Sequence, residues 1–165
     1  MVQIRTTGII ERSAADVFAY LADYRRMHEW VFGITTVEPV GETDYGPGAV
    51  FEGSVDLGPK TLSSTARISD WEQDRRIGLD SLSGFEFTAT MRLEPEADDR
   101  TALDFELLYA TSGGVAAKAF GRTIEPLLAL AARVTTSKLC EACTEATGQP
   151  AVVERTKDPS PAADG

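Results

Sequence analysis

The sequence is poor in the residues that most often hold metals, with one histidine and two cysteines among 165 residues. A zinc site needs three or four such ligands, so we expect no metal. Cys140 and Cys143 have C-x-x-C spacing but lie near the end of a predicted final helix, where the helix dipole has the wrong sign to activate a thiol. We interpret them as two small helix residues and predict no cofactor, whether metal or organic.

Basic residues are also scarce, because 16 Lys and Arg stand against 26 Asp and Glu, for a net charge of −10. A nucleic-acid binder needs a basic surface, and anionic membranes also attract basic proteins. No apolar run approaches the ~20 residues that span a bilayer. The first residues do not have the regions of a signal peptide. We therefore expect a cytoplasmic protein that binds no nucleic acid and inserts into no membrane.

The periodic apolar patterns cover most of the chain and predict one domain over residues 1–148. Residues 149–165 are rich in Pro, Ala and Asp without periodicity, and we predict a mobile C-terminal tail there. Residues 2–11 begin with the alternation of a strand. Ser13 then caps a predicted short helix, and a second short helix is predicted from Tyr24 to Trp30. The oligomeric state stays open between a monomer and a homodimer.

From Val31 to Tyr109 the pattern changes to six short alternating runs separated by turns. Such runs predict an antiparallel meander with one polar and one apolar side. The final apolar-patterned run, from about Val115 to Ala146, predicts a helix roughly 48 Å long, with a kink or break at Pro126. Its predicted apolar stripe comprises Phe120, Ile124, Leu127, Ala131 and Val134, widened by Leu128 and Leu139. This helix is the element that can cover the apolar side of the strands.

The segment from Ser13 to Asp23, Ser-Ala-Ala-Asp-Val-Phe-Ala-Tyr-Leu-Ala-Asp, is followed seven residues later by Trp30. Together with the order of elements, it resembles the SRPBCC superfamily of START lipid-transfer domains and pollen allergens, in particular its polyketide cyclase/dehydrase branch. Two departures are Arg12-Ser13, where the family often has Ala-Pro, and His28, where it often has Pro. The second departure lies at the expected cavity entrance, where the loss of Pro would change the geometry that is usual in the family.

The resemblance implies an α+β helix-grip fold. In it, a curved seven-stranded antiparallel sheet is wrapped around the long C-terminal helix, with two short helices after strand 1 and an internal apolar cavity. The expected function is to bind a polyketide or lipid-like hydrophobic molecule. We predict these ligand-binding residues from the apolar faces: Trp30, Phe51, Ser64, Phe85, Phe87, Met91, Phe105, Phe120, Ile124 and Leu128. Trp30 could instead anchor its helix, and backbone partners could satisfy Ser64.

Two residues are candidates for proton transfer. His28 has the one side chain that ordinarily titrates near neutrality, and Tyr109 is a hydroxyl on the predicted apolar face. A surface or structural role for His28 and a backbone hydrogen-bond partner for the Tyr109 hydroxyl are the alternatives. The alternation places Arg67 and Arg92 on the polar face, which weighs against the arginine-assisted ring closure that the resemblance to aromatases would imply.

Three functions are compatible with these patterns. The first is a cyclase or dehydratase without a cofactor, in which the cavity folds a flexible chain into a reactive shape. The second is a carrier or sensor of a hydrophobic metabolite that catalyses nothing. The third is a partner-binding module, which a large exposed apolar patch in place of a cavity would favour.

Overall fold

The computed structural model describes residues 2–110 and 125–144. Within them, seven strands form one curved antiparallel sheet in the order β1-β7-β6-β5-β4-β3-β2. The strands are β1 Val2–Ile10, β2 Ile34–Val40, β3 Val50–Asp56, β4 Thr61–Glu72, β5 Arg76–Gly84, β6 Phe87–Ala97 and β7 Arg100–Tyr109. The helices are α1 Ala14–Ala22, a 3₁₀ turn Tyr24–Arg26, α2 Met27–Trp30 and α3, residues 125–144. The predicted α+β helix-grip architecture is confirmed.

The alternation of β1 shows how sequence pattern becomes structure in this sheet. Exposure alternates at every residue, and Ile10 is fully buried. On the outer face, Arg5 forms an ion pair with Asp104 of β7, and Arg92 lies 3.4 Å from Glu106. The predicted polar face is therefore confirmed, because the period of two leaves only one way to bury the apolar set.

Helix α1 begins where the sequence predicts it. Ser13 is extended, and its Oγ accepts a hydrogen bond of 3.2 Å from the backbone N–H of Asp16. Val17 and Phe18 are almost wholly buried against the sheet. The cap directs the helix so that its apolar side faces the core.

Replacing Ser13 with alanine is expected to lower the free energy of unfolding by about 1 kcal/mol, because one helix N–H loses its acceptor. For a chain of this size that corresponds to a fall of about 2–4 °C in the melting temperature. Thermal unfolding followed by circular dichroism measures it. Ser13→Asp keeps an acceptor and should melt close to the wild type; equal destabilisation by both substitutions would contradict the capping role.

The predicted strand limits are wrong in the middle of the sheet. The alternating run that begins at Thr61 ends at Ile68 in the sequence, but β4 continues to Glu72, and its register with β5 shifts between Ile68 and Asp70. The shift brings Trp71 against Phe18, with ring centroids 4.9 Å apart. Phe85, predicted to start a strand, lies in the turn before β6.

Helix α3 packs closely on β1 because small residues meet there. A Cβ on Gly8 would lie 2.7 Å from Cys140 Sγ, and the hydroxyls of Thr6 and Thr136 share a hydrogen bond. The predicted start at Val115, the end at Ala146 and the tail over 149–165 lie outside the described residues. The expected kink at Pro126 depends on residues before 125, which also lie outside them.

The buried side of α3 differs from the predicted stripe. Leu128, Ala131, Ala132, Thr135, Thr136, Leu139 and Cys143 are buried, whereas Leu127 and Val134 are only half-buried. The prediction is therefore confirmed for Leu128, Ala131 and Leu139, and the buried side is shifted away from Leu127 and Val134. The reason is that Thr135 and Thr136, which appear polar in the sequence, are buried with their hydroxyls hydrogen-bonded.

Candidate functional site

An apolar cavity of about 260 Å³ lies between the concave face of the sheet and α3. Its wall includes residues from every strand from β2 to β7 and from α1, α2 and α3. It is larger than the roughly 150 Å³ apolar cavity that holds one benzene ring. The space therefore suits an organic molecule of more than one ring.

Small residues near the centre of the sheet create this space. Gly53 of β3 and Ser64 of β4 are directly opposite each other in the register, and both line the cavity. Ala89 of β6 lines it two strands away, and Ala131 and Ala132 face them from α3. A core normally closes such positions with larger side chains. Here the sheet and the helix both present short side chains, so a void remains between them.

All the described residues that the sequence proposed for ligand binding line this cavity. They are Trp30, Phe51, Ser64, Phe85, Phe87, Met91, Phe105 and Leu128. Phe120 and Ile124 lie outside the described residues. The structure thus brings together the set that alternation selected, and their contact with a ligand stays a prediction.

Several lining residues were missed by the sequence analysis. Ile77 and Leu79 of β5 line the cavity and were not among the predicted ligand-binding residues. Val31 and Phe32 come from the connection after α2, which carries no periodic signal, and Ile34 is the first residue of β2. The apolar run from Trp30 to Ile34 was the available clue, since a short run of that length is typical of a buried segment.

No described lining residue carries a formal charge. The hydroxyl groups there are largely occupied: Ser64 Oγ donates to the Phe85 carbonyl oxygen at 2.8 Å, and Thr135 Oγ1 accepts from the Phe32 N–H at 3.0 Å. The predicted position of Arg67 on the outer face is confirmed by its exposure. Charge-based chemistry therefore has no group within the described part of this wall.

Two buried polar atoms have no hydrogen-bond partner among the described residues, Trp30 Nε1 and Tyr109 Oη. Tyr109 is fully buried beside Phe85, with ring centroids 5.9 Å apart, and is not among the residues that line the cavity. Burial raises the pKa of the Tyr109 hydroxyl, and the nearby Glu125 carboxylate adds to this. The hydroxyl therefore stays protonated at neutral pH, so it could donate a hydrogen bond but could not act as a phenolate base.

His28, which the sequence proposed for proton transfer, does not lie where that role would need it. Its side chain is exposed on α2, and it is not part of the cavity lining. The reason is the short helix, on which Trp30 takes the inward position and His28 points away. Beside it, Tyr20 Oη donates to Glu29 Oε1 at 2.6 Å and Arg26 lies 3.4 Å from the same carboxylate. This polar cluster anchors α2 to α1.

The two cysteines lie on the buried side of α3. Cys143 is fully buried, and burial raises the pKa of its thiol to about 12, with Asp16 contributing. Burial also raises the pKa of Cys140. Both thiols therefore stay protonated at neutral pH, which disfavours a redox role. Within residues 2–110 and 125–144, no group of three or more His, Cys, Asp or Glu side chains is placed to hold a metal ion.

The described helices are all too short or too polar to span a bilayer. In sequence comparisons, the model of a family described as polyketide cyclase / dehydrase and lipid transport matches residues 1–138. No curated protein sequence matches significantly.

Several solved structures share the fold. One is a protein from Thermus thermophilus, 15% identical, with a TM-score of 0.74 over 88% of this chain and 99% of that one. Another is the Zhui aromatase/cyclase from Streptomyces sp. R1128, 15% identical, with a TM-score of 0.70 over 86% and 93%. A START superfamily protein from Mycobacterium smegmatis is 19% identical, with a TM-score of 0.59 over 80% and 96%. At these identities the likeness establishes the fold and leaves the ligand open.

Proposed function

The chain belongs to the polyketide cyclase / dehydrase and lipid transport family, and we propose that it binds a hydrophobic polyketide or lipid-like molecule in its internal cavity. The observation that supports this most is the void of about 260 Å³ between sheet and helix, lined by apolar side chains. A folded protein keeps such a void at a cost in stability, because its lining loses packing contacts. A ligand that fills it restores those contacts.

The cavity favours a small molecule over a protein partner. The large apolar side chains of the concave face are directed at α3 and the void, and the exposed ones that remain, such as Ile9, Leu82 and Leu130, are spread over β1, β5 and α3. Scattered exposed apolar residues are normal for a monomeric surface. The partner-binding alternative therefore has less support. The net charge of −10 supports the further proposal that the protein has no nucleic-acid partners, and a cytoplasmic location stays a prediction.

A second candidate function is a cyclase or dehydratase that uses no cofactor. It is favoured by the family description and by the buried, protonated and unpartnered hydroxyl of Tyr109. In this proposal the apolar wall folds a flexible chain so that its reacting atoms approach each other. Tyr109 would then donate a hydrogen bond to a carbonyl oxygen of a ligand that extends beyond the described lining to its hydroxyl. His28, exposed on α2, would contribute only from outside the lining.

Titration with the neutral fluorescent dye N-phenyl-1-naphthylamine tests binding, and saturable enhancement at one dye per chain is the expected result. A dye that binds only after partial unfolding, or with no saturation, would contradict an internal site. Native mass spectrometry of the purified protein adds a direct search for a retained apolar molecule. Denatured protein is the control for non-specific enhancement.

Incubation with a linear poly-β-ketone thioester separates the enzyme from the carrier. For an enzyme, Tyr109→Phe should reduce turnover about tenfold, as expected for the loss of one hydrogen bond of about 1.4 kcal/mol in the transition state, with dye affinity unchanged. His28→Ala should leave turnover within about twofold. If the wild-type protein binds the dye but the product forms only at the uncatalysed rate, the enzyme proposal is contradicted and the carrier function is the one supported.

A further inference from the structure

The indole of Trp30 combines two properties that the rest of the described cavity wall does not. Trp30 lines the cavity although the residue is only 4% exposed. Its Nε1 has no hydrogen-bond partner among the described residues. An indole N–H only donates hydrogen bonds, so a ligand can pair with it only through an atom that has an acceptor lone pair. Buried donors are nearly always paired in folded proteins.

The position of Trp30 is fixed by its neighbours along the chain. It ends α2, and two residues later the backbone N–H of Phe32 donates to Thr135 Oγ1 on α3 at 3.0 Å. This bond joins the segment after α2 to the helix that closes the cavity. The backbone after Trp30 is therefore joined to α3, and the indole itself is buried.

The other buried polar groups of the described wall already have partners. Ser64 Oγ donates to the Phe85 carbonyl oxygen, and the Thr135 hydroxyl oxygen accepts from Phe32. No described lining residue is positively charged, so a carboxylate or phosphate would enter without a counterion. Burying such an anion unpaired is strongly unfavourable.

These observations together define a ligand class. Resting on the proposed function, we propose that the cavity selects a neutral, ring-containing molecule with a carbonyl or similar acceptor oxygen, and that Trp30 Nε1 donates a hydrogen bond to that oxygen. The apolar wall supplies affinity, and the indole fixes the orientation of the ligand. Ionised fatty acids are poor ligands under this proposal.

The test uses two ligands of nearly the same shape, 2-acetylnaphthalene and 2-isopropenylnaphthalene. In the second, a methylene group replaces the carbonyl oxygen of the first. Dissociation constants are measured by displacement of N-phenyl-1-naphthylamine from the wild type and from Trp30→Phe. We expect Trp30→Phe to weaken the ketone about fivefold and to change the alkene less than twofold, as expected for one neutral hydrogen bond. Trp71→Phe is the matched control, because Trp71 is outside the lining and should leave the ratio unchanged.

A second measurement does not depend on the folding of Trp30→Phe. In the wild type, the indole N–H resonance of Trp30, distinguished from that of Trp71 through Trp71→Phe, should move downfield with the ketone and not with the alkene. Equal shifts for both ligands, or an unchanged ratio of constants, would overturn the role of Trp30 while the binding function stands. Failure of the dye and both naphthalenes to bind would instead overturn the proposed function. Tighter binding of 2-naphthoate than of the ketone would overturn the selection of neutral ligands.

Discussion

Ala131→Phe is expected to reduce binding of N-phenyl-1-naphthylamine about 30-fold while the protein stays folded. Ala131 lies on the buried side of α3 and lines the cavity. A phenyl ring at this position enters the space that a ligand needs, and a clash of about 2 kcal/mol, typical of overpacking, corresponds to that loss of affinity. In the ligand-free protein the same ring fills a void, so the melting temperature should be unchanged or higher. Dye titration and thermal unfolding measure the two effects.

Leu130→Phe is the matched control for this substitution. Leu130 is the preceding residue on the same helix and is 43% exposed, so its larger ring enters solvent and leaves the cavity unchanged. Dye affinity should stay within about twofold of the wild type. Full affinity in Ala131→Phe, together with a wild-type melting temperature, would show that the dye binds elsewhere.

Gly84→Ala is expected to lower the free energy of unfolding by about 3 kcal/mol or more, which corresponds to about 6–12 °C in the melting temperature of a chain this size. Gly84 has a φ of +84°, and an added Cβ would overlap the backbone oxygen of Ser63 and lie 3.1 Å from its carbonyl carbon. Both the positive φ and the overlap are unfavourable, and a strand backbone cannot move away without breaking its ladder. Chemical denaturation measures the loss.

Gly48→Ala separates the two causes of that instability. Gly48 has a similar φ of +89°, but a Cβ there would meet no atom within 4 Å. Only the strain of the left-handed conformation remains, and the expected loss is about 1 kcal/mol. Equal losses at both positions would show that the contact with Ser63 is not the cause. In Gly84→Ala, dye binding should also weaken, because a shift of the backbone at position 84 moves the next residue, Phe85, which lines the cavity.

The sequence alone predicted the strand order of the meander, its apolar face and the cap at Ser13. These follow from local rules: alternation has a period of two, and a cap needs one side-chain oxygen at a fixed offset. It also selected eight of the described lining residues, because most of them lie on the side of a strand or helix that the apolar pattern marks as buried. The resemblance to the cyclase and START superfamily depended on the segment from Ser13 to Trp30 and is confirmed by the family match.

Only the tertiary structure decided the side of α3 that faces the core, the outward position of His28 and the existence of a void. Thr135 and Thr136 are buried because their hydroxyls find partners near Phe32 and at Thr6, more than 100 positions earlier in the chain. The void depends on Gly53, Ser64 and Ala131 meeting across strands and helix. Local patterns determine which side of an element is apolar, whereas long-range packing determines what that side meets and whether the space is filled.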